Sequence, residues 1–261
     1  MNKKINRDHQ TGNKIFDNRS LEVDYPTVIP LIKKGMRVLD VGCGTGAISN
    51  GIAKLVGSSG HVIGIDNTEK FIASGSESYK DTLNLELIYS DLFDYKSDVG
   101  FDLIVSARTL QWLNNPREAL KKMQSLLRPG GQVSILDYNH ELLEWQPSPP
   151  KSMQIFYDAF LKWRADAGMN NRIADDLAGY FDEVNFESIE IFNSDEVYSR
   201  SDDNFIERIG IWSKVAGLKQ IVEEGYISEN LRLKAIEEYD QWVKTDAKKM
   251  IMKLNEVRGT Y

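Results

Sequence analysis

A strand that runs without interruption into a glycine-rich turn constrains this chain more than any other feature. Val38-Leu39-Asp40-Val41 is a short apolar run, and Gly42-Cys43-Gly44-Thr45-Gly46 follows it directly, before a helix-compatible stretch from Ala47 to Val56. Glycines at alternate positions let the backbone take left-handed angles and lie bare against a ligand. Strand, turn and helix make the first half of a βαβ unit, and the sequence beyond repeats the alternation. His61 to Asp66 reads as a second strand with a helix near Glu69 to Tyr79; Leu85 to Tyr89 and Asp102 to Ser106 read as the third and fourth. A helix from about Pro116 to Leu127 is expected to stop at Arg128-Pro129-Gly130-Gly131, because Pro and Gly cannot continue it, and Gln132 to Asp137 starts a fifth strand.

After Asp137 the pattern changes. Trp145 to Pro150 reads as a proline-rich connector, and a helix from about Ser152 to Ala167 carries Phe156, Phe160 and Trp163 on one face. Ala174 to Phe181 reads as a helical turn before a sixth strand, Phe186 to Phe192. The segments Asp203 to Gly217 and Glu229 to Val243 place apolar residues at helical spacing and are expected to form a cap. Met250 to Arg258 fits either a closing strand or the tail of the preceding helix, and its alternation favours the strand.

The 261 residues contain 41% hydrophobic and 27% charged residues, an ordinary globular composition, and no apolar run approaches membrane-spanning length. Met1 to Arg19 is polar and has no apolar signal core, so a cytoplasmic location without membrane association is expected. One cysteine, Cys43, and three scattered histidines, His9, His61 and His140, give no metal-ligand cluster, so no metal is expected. A formal charge of -7 disfavours a nucleic-acid partner.

Asp40 two residues before Gly42, with Gly42, Gly44 and Gly46 spaced G-x-G-x-G, resembles the first motif of class I S-adenosylmethionine-dependent methyltransferases. Further landmarks stand in the same order: Asp66 ends the second strand, Asp91 follows the third, Ser106-Ala107-Arg108 ends the fourth, and Arg128-Pro129-Gly130-Gly131 precedes the fifth. The resemblance covers Val28 to Tyr138. It implies an α/β fold, Rossmann-like, with a seven-stranded, mostly parallel, doubly wound sheet and a helical cap inserted late in the chain. The expected division is an N-terminal helical segment at 1–27, a cofactor core at 28–140, cap segments at 141–185 and 200–247, and closing strands of the core at 186–199 and 248–261.

The resemblance further implies S-adenosyl-L-methionine as cofactor and a binding set of Asp40, Gly42, Cys43, Gly44, Gly46, Asp66, Asn67, Asp91, Leu92, Ala107 and Arg108. Asp66 has the ionised, two-oxygen acceptor that a ribose diol needs. Asp91 is placed for an exocyclic adenine amine, and Leu92 with Ile65 for the adenine faces. Asp40 either orders the turn or reaches the cofactor amine through water. Cys43 is expected to contribute contact rather than chemistry, since nothing beside it would activate a thiol.

Transfer from a sulfonium is an in-line displacement in which alignment does most of the work. Where the acceptor needs deprotonation, His140, just beyond the fifth strand, is the candidate base, a surface or packing role being the alternative. Arg108 and Gln111-Trp112 are further candidates to face the cleft, and Arg19 or Tyr25 to touch the cofactor. The acceptor is expected to be a small molecule, since Ser106-Ala107-Arg108-Thr109 departs from the Asn/Asp-Pro-Pro-Tyr/Phe pattern of amide and nucleic-acid amine methylation, and the layout is most similar to the ubiquinone-biosynthesis and trans-aconitate branch. The aromatic segments Trp145–Trp163 and Phe205–Trp242 either enclose that substrate or bury their rings in the cap. Two rivals stand beside this reading. Gly42, Gly44 and Ala47 also satisfy the dinucleotide pattern of an NAD(P)-dependent oxidoreductase, although no Tyr-x-x-x-Lys pair follows. A non-catalytic S-adenosylmethionine-binding protein is the other.

Overall fold

The computed structural model describes residues 19–261; most of the expected N-terminal segment, and His9 with it, lies outside them. In chain order the elements are α1 (Leu21–Asp24), β1 (Arg37–Val41), α2 (Ala47–Val56), β2 (His61–Asp66), α3 (Glu69–Ser78), β3 (Leu85–Tyr89) and β4 (Phe101–Ala107). They continue with α4 (Pro116–Leu126), β5 (Leu127–Gln146), α5 (Lys151–Asp166), α6 (Ile173–Glu183), β6 (Glu187–Asn193) and β7 (Glu196–Ser199). The short helices α7 (Phe205–Ile209), α8 (Ile211–Ala216) and α9 (Gln220–Glu223), the long α10 (Glu229–Thr245) and the strand β8 (Lys249–Thr260) complete it.

Strands β3-β2-β1-β4-β5 are parallel neighbours, and β8 runs antiparallel between β5 and β6. β1, β2 and β4 are almost wholly buried, as strands covered by helices on both faces must be. Helix starts are written locally: Asn115 accepts from the Glu118 N–H with Pro116 in the first turn of α4, and Ser228 accepts from the Leu231 N–H at α10.

The sheet has eight strands, not the expected seven. The additional one is β7, which pairs with Lys249–Met252 of β8, while β6 pairs with Asn255–Thr260 of the same strand. Asp195 separates β6 from β7 because its carboxylate takes the Leu254 N–H at 3.1 Å in place of a ladder bond. β5 is also longer than expected. It begins at Leu127, paired with Phe101, and absorbs the Pro129-Gly130 turn signal as an irregularity, with Gly130 at φ 74°. It then continues past Asp137 to Gln146 along β8, so the segment expected as a proline-rich connector starts as strand.

The two faces of the sheet carry two cores. Leu39, Ile63, Ile104, Leu120, Met123 and Leu177 stand for the one under α4 and α6. The other joins the inward residues of α1 and α2, such as Leu21 and Ile52, to the cap residues Phe156, Trp163, Trp212 and Tyr239. Phe160, Tyr157 and Trp145 pack on Trp212 with ring centroids 5.8, 4.8 and 6.1 Å away. The cap aromatics therefore fill the cap's own core, the second of the two roles open to them. Among the described residues no helix is long and apolar enough to cross a membrane.

Candidate functional site: a cofactor cleft beside a charged cavity

The carboxyl ends of β1, β2, β4 and β5 converge on one edge of the sheet, where crossover connections leave an open crevice. At the end of β1 the backbone reverses through Gly42 (φ 74°), Gly44 (φ 59°) and Gly46 (φ 81°). The Gly42 and Cys43 N–H groups donate to Ile65 O at 2.8 and 3.0 Å, tying the turn to β2. Gly42 has no alternative here, since a Cβ would lie 2.2 Å from Thr109 Oγ1.

Asp66 is buried, and each of its oxygens already accepts one backbone N–H, Gly44 on Oδ2 at 3.0 Å and Thr68 on Oδ1 at 2.9 Å. A carboxylate oxygen can accept a second bond, so both remain able to take hydroxyl protons. Asn67 is exposed immediately beyond it. Asp40 lies under the turn, accepting from Ser49 Oγ at 2.6 Å. Burial pushes its carboxyl up to about 6, and the Asp66 charge adds to that while Ser49 and Arg19 oppose it. Burial also raises the Cys43 thiol well above its ordinary range, so it is not a thiolate nucleophile. Asp91 is exposed and takes the Phe93 N–H on Oδ1 at 2.9 Å. Leu92 and Ile65 belong to the core under α4, so the surface offered beside Asp91 is the half-exposed Phe93 ring, which the sequence reading missed.

Two hollows meet at this edge. A narrow cleft of about 10 Å³ is lined by Asp40, Gly42, Cys43, Ala47, Ala107 and Arg19. A larger cavity of about 430 Å³ is walled by Arg108 and Tyr138 from β4 and β5, Glu196 and Tyr198 from β7, Arg208 and Lys214 from the cap, and again Arg19. Arg108 is the hinge between them. At φ 59° it leaves the strand in the left-handed region, with its N–H donating to Leu136 O at 2.7 Å. Such a conformation costs a residue with a Cβ about 1–2 kcal/mol and is held only by its surroundings.

The Arg108 side chain faces the larger cavity and not the glycine turn with which the sequence grouped it. Nε donates to Tyr138 Oη at 2.7 Å, and Nη2 donates to Asp24 O at 3.0 Å and to the Glu196 carboxylate. Nη1 is buried and has no acceptor among the described residues, which leaves a desolvation penalty of about 1–3 kcal/mol uncompensated. Burial opposes the charge on Arg108, but Tyr138, Glu196 and Asp24 outweigh it and keep the guanidinium protonated. Burial raises the Tyr138 hydroxyl above its usual range, so it stays neutral; since it accepts from Arg108, its own proton is available to a ligand.

His140 does not stand where a base must. It lies within the continuation of β5 and lines neither hollow. Gln111 Nε2 donates to Arg108 O at 3.0 Å, which turns Gln111 Oε1 toward His140 Nε2 at 2.5 Å, and the ring packs edge-on against Phe160 and Trp212. Burial and the Arg164 charge lower its basicity well below the ordinary range. The imidazole is neutral and structural. Trp112 lies beneath the Arg164 guanidinium at 4.8 Å, and Tyr25 is buried with its hydroxyl 2.6 Å from Ser134 Oγ. Of the two N-terminal guesses, Arg19 is the one that reaches the site.

Asp137 is fully buried within β5, its oxygens accepting the Gln111 and Tyr138 N–H groups at 3.0 Å each. Burial pushes it, like Asp40, up to about 6. Both carboxyls bind a proton more tightly folded than unfolded, where they titrate near 3.8. Folding stability is therefore expected to fall as pH rises from about 4 to 6, by on the order of 2–3 kcal/mol per group, and to be flat above. Urea denaturation across pH 4–7.5 checks this, with Asp40→Asn losing about half of the decline; an unchanged slope in the variant contradicts the assignment.

A methyltransferase domain family model matches residues 32–176, more than half of the chain. The chain belongs to that family. Demethylmenaquinone methyltransferase of Staphylococcus carnosus (strain TM300) is 30% identical over 172 residues, covering 61% of this chain and 71% of that protein. The enzyme of the same name from Listeria welshimeri is 34% identical over 128 residues, covering 48% of this chain and 52% of the relative. Among solved structures, phosphoethanolamine N-methyltransferase 2 of Haemonchus contortus in complex with S-adenosyl-L-methionine superposes with a TM-score of 0.58 at 16% identity, over 97% of this chain and 57% of that one; this similarity is one of fold. The chain is an S-adenosylmethionine-dependent methyltransferase, and the oxidoreductase and non-catalytic readings of its glycine turn fall away. The bare glycine backbone and the acids Asp40 and Asp66 fit that cofactor, Arg19 being the one cation in the cleft lining.

Proposed function

We propose that this methyltransferase is a cytoplasmic enzyme that methylates a small polar molecule held in the cavity walled by Arg108 and Tyr138. One observation carries the reading: the cleft and the cavity abut, with Ala107 lining the first, the next residue Arg108 lining the second, and Arg19 lining both. In this reading Gly42, Cys43, Gly44, Gly46 and Ala107 would receive the methionine portion of the cofactor, Asp66 with Asn67 the ribose, and Asp91 with Phe93 the adenine. When bound, the cofactor would supply an electrophilic methyl on a sulfonium, a leaving group that would take the methyl–sulfur pair as the acceptor's lone pair made the new bond. The chain's own contribution is alignment and exclusion of water. Arg108 and Tyr138 hold the acceptor against the end of β4, and no base role is assigned to His140. At about 10 Å³ the cleft is narrow, and its one lining residue outside the strand-turn-helix core and β4 is Arg19, whose side chain must swing aside to admit the cofactor.

Asp40 makes the binding pH-dependent. A cationic cofactor favours the ionised carboxylate, so affinity is expected to weaken as pH falls through about 6. The direct test is isothermal titration with S-adenosylhomocysteine and, separately, NADH. Asp66→Ala removes two charge-assisted acceptors and is expected to weaken S-adenosylhomocysteine binding about 100-fold. Equal binding by the variant would remove Asp66 from the site, and NADH binding would contradict the cofactor assignment itself.

A further inference from the structure

The wall of the larger cavity carries more positive charge than its own acids neutralise. Two of those acids are already held by arginines: Glu196 pairs with Arg108, and Asp24 pairs with Arg208 at 3.1 Å. Arg19 and Glu207 add one charge of each sign. What remains is Lys214, half-buried on α8, whose ammonium has no ion pair or hydrogen bond among the described residues. Buried Nη1 of Arg108 likewise has no acceptor there. The charge itself is met by Glu196, and the idle N–H carries only its own desolvation cost. Tyr138, whose hydroxyl proton is not used by Arg108, adds a neutral donor on the same wall. Ile211, Met252 and the rings of Tyr138 and Tyr198 give the same wall an apolar part beside its charges.

We propose that the acceptor substrate carries an oxyanion, a carboxylate or a phosphate, held in this cavity by Lys214 and the Tyr138 hydroxyl, with the charge of the Arg108 guanidinium that donates to that hydroxyl beside them. This rests on the cavity being the acceptor site, as argued above, and sets the chain apart from relatives whose name specifies a quinone. The anion is the recognition handle; the atom that receives the methyl group is a separate part of the same molecule or one of the anion's own oxygens.

The test is calorimetric titration of the full chain, saturated with S-adenosylhomocysteine, with four probes: succinate, inorganic phosphate, neutral succinamide and demethylmenaquinone. Succinate or phosphate is expected to bind, the stronger of the two naming the source of the oxyanion, while succinamide gives no heat. Lys214→Gln, a half-exposed change outside the cofactor cleft, is expected to weaken the anion roughly tenfold and to leave S-adenosylhomocysteine affinity unchanged. Arg108→Lys keeps a charge but removes the fork, and is expected to weaken the anion further. Silence from both anions, equal binding to Lys214→Gln, or preference for succinamide or demethylmenaquinone would overturn the proposal while leaving the cofactor assignment intact. Failure of S-adenosylhomocysteine to bind at all would instead strike the reading beneath it.

Discussion

Trp212→Ala is expected to lower the melting temperature by about 10 °C. Trp212 is buried at the point where α5, α8 and the far end of β5 meet, with Tyr157, Phe160, Trp145 and His140 around it. Truncating such a ring removes its transfer free energy and leaves a cavity that stiff aromatic neighbours cannot fill, about 3–5 kcal/mol in all. For a chain of this size each kcal/mol moves the midpoint by roughly 2–4 °C. No hydrogen bond is lost in the exchange, because Trp212 Nε1 has no partner among the described residues. Calorimetry should show one transition displaced as a whole, because the cap shares its core with α1 and α2. Two separated transitions, with only the first moved, would show that the cap folds on its own and that the shared core does not couple it to the sheet.

Gly42→Ala should weaken cofactor binding at least 100-fold and destabilise the fold as well. The left-handed angle of 74° costs a Cβ about 1–2 kcal/mol. The new methyl also meets the Thr109 side chain, whose Oγ1, Cγ2 and Cβ lie 2.2, 2.5 and 2.8 Å away. Thr109 belongs to the turn that sets Ala107 and Arg108, so the displacement reaches both hollows. Thr109→Gly in the same chain removes the clash and not the dihedral strain. The double variant should therefore recover part of the stability of the single one, measured by urea denaturation with binding followed by titration. No recovery would mean that dihedral strain accounts for the whole effect.

The parallel half of the sheet was legible because its strands are buried on both faces and must be apolar runs, and because glycines and capping residues mark where each one hands over to a helix. Asp40, the three glycines and Asp66 are legible for the same reason, lying within one strand-turn-helix and the strand beside it. The larger cavity was not. Tyr138, Glu196, Arg208 and Lys214 come from four separated segments, and each is an ordinary polar residue until the fold gathers them. Arg108 was singled out, but its left-handed angle, which turns it from one hollow to the next, leaves no trace in an Ala-Arg-Thr sequence. His140 misled because position after a strand predicts the right edge of the sheet and says nothing of which way the ring turns. β7 escaped notice because Glu196 and Tyr198, half of its short run, line the cavity, so its pattern lacks the apolar residues that mark a strand.

The placement of β8 has a kinetic side. It hydrogen-bonds to β5 on one edge and to β6 and β7 on the other, and Gln132 is joined to Thr260 across 128 residues of chain. Contacts so distant along the chain are slow to form, since the loop they close must be ordered before any of them stabilises it. Until β8 arrives, β5 is a bare, apolar sheet edge next to an otherwise assembled parallel half, the kind of surface through which partly folded chains pair with one another. Refolding yield should thus depend on dilution far more steeply than native stability would suggest, and excess cofactor, whose proposed site is built mainly on the parallel half, should do little to improve it.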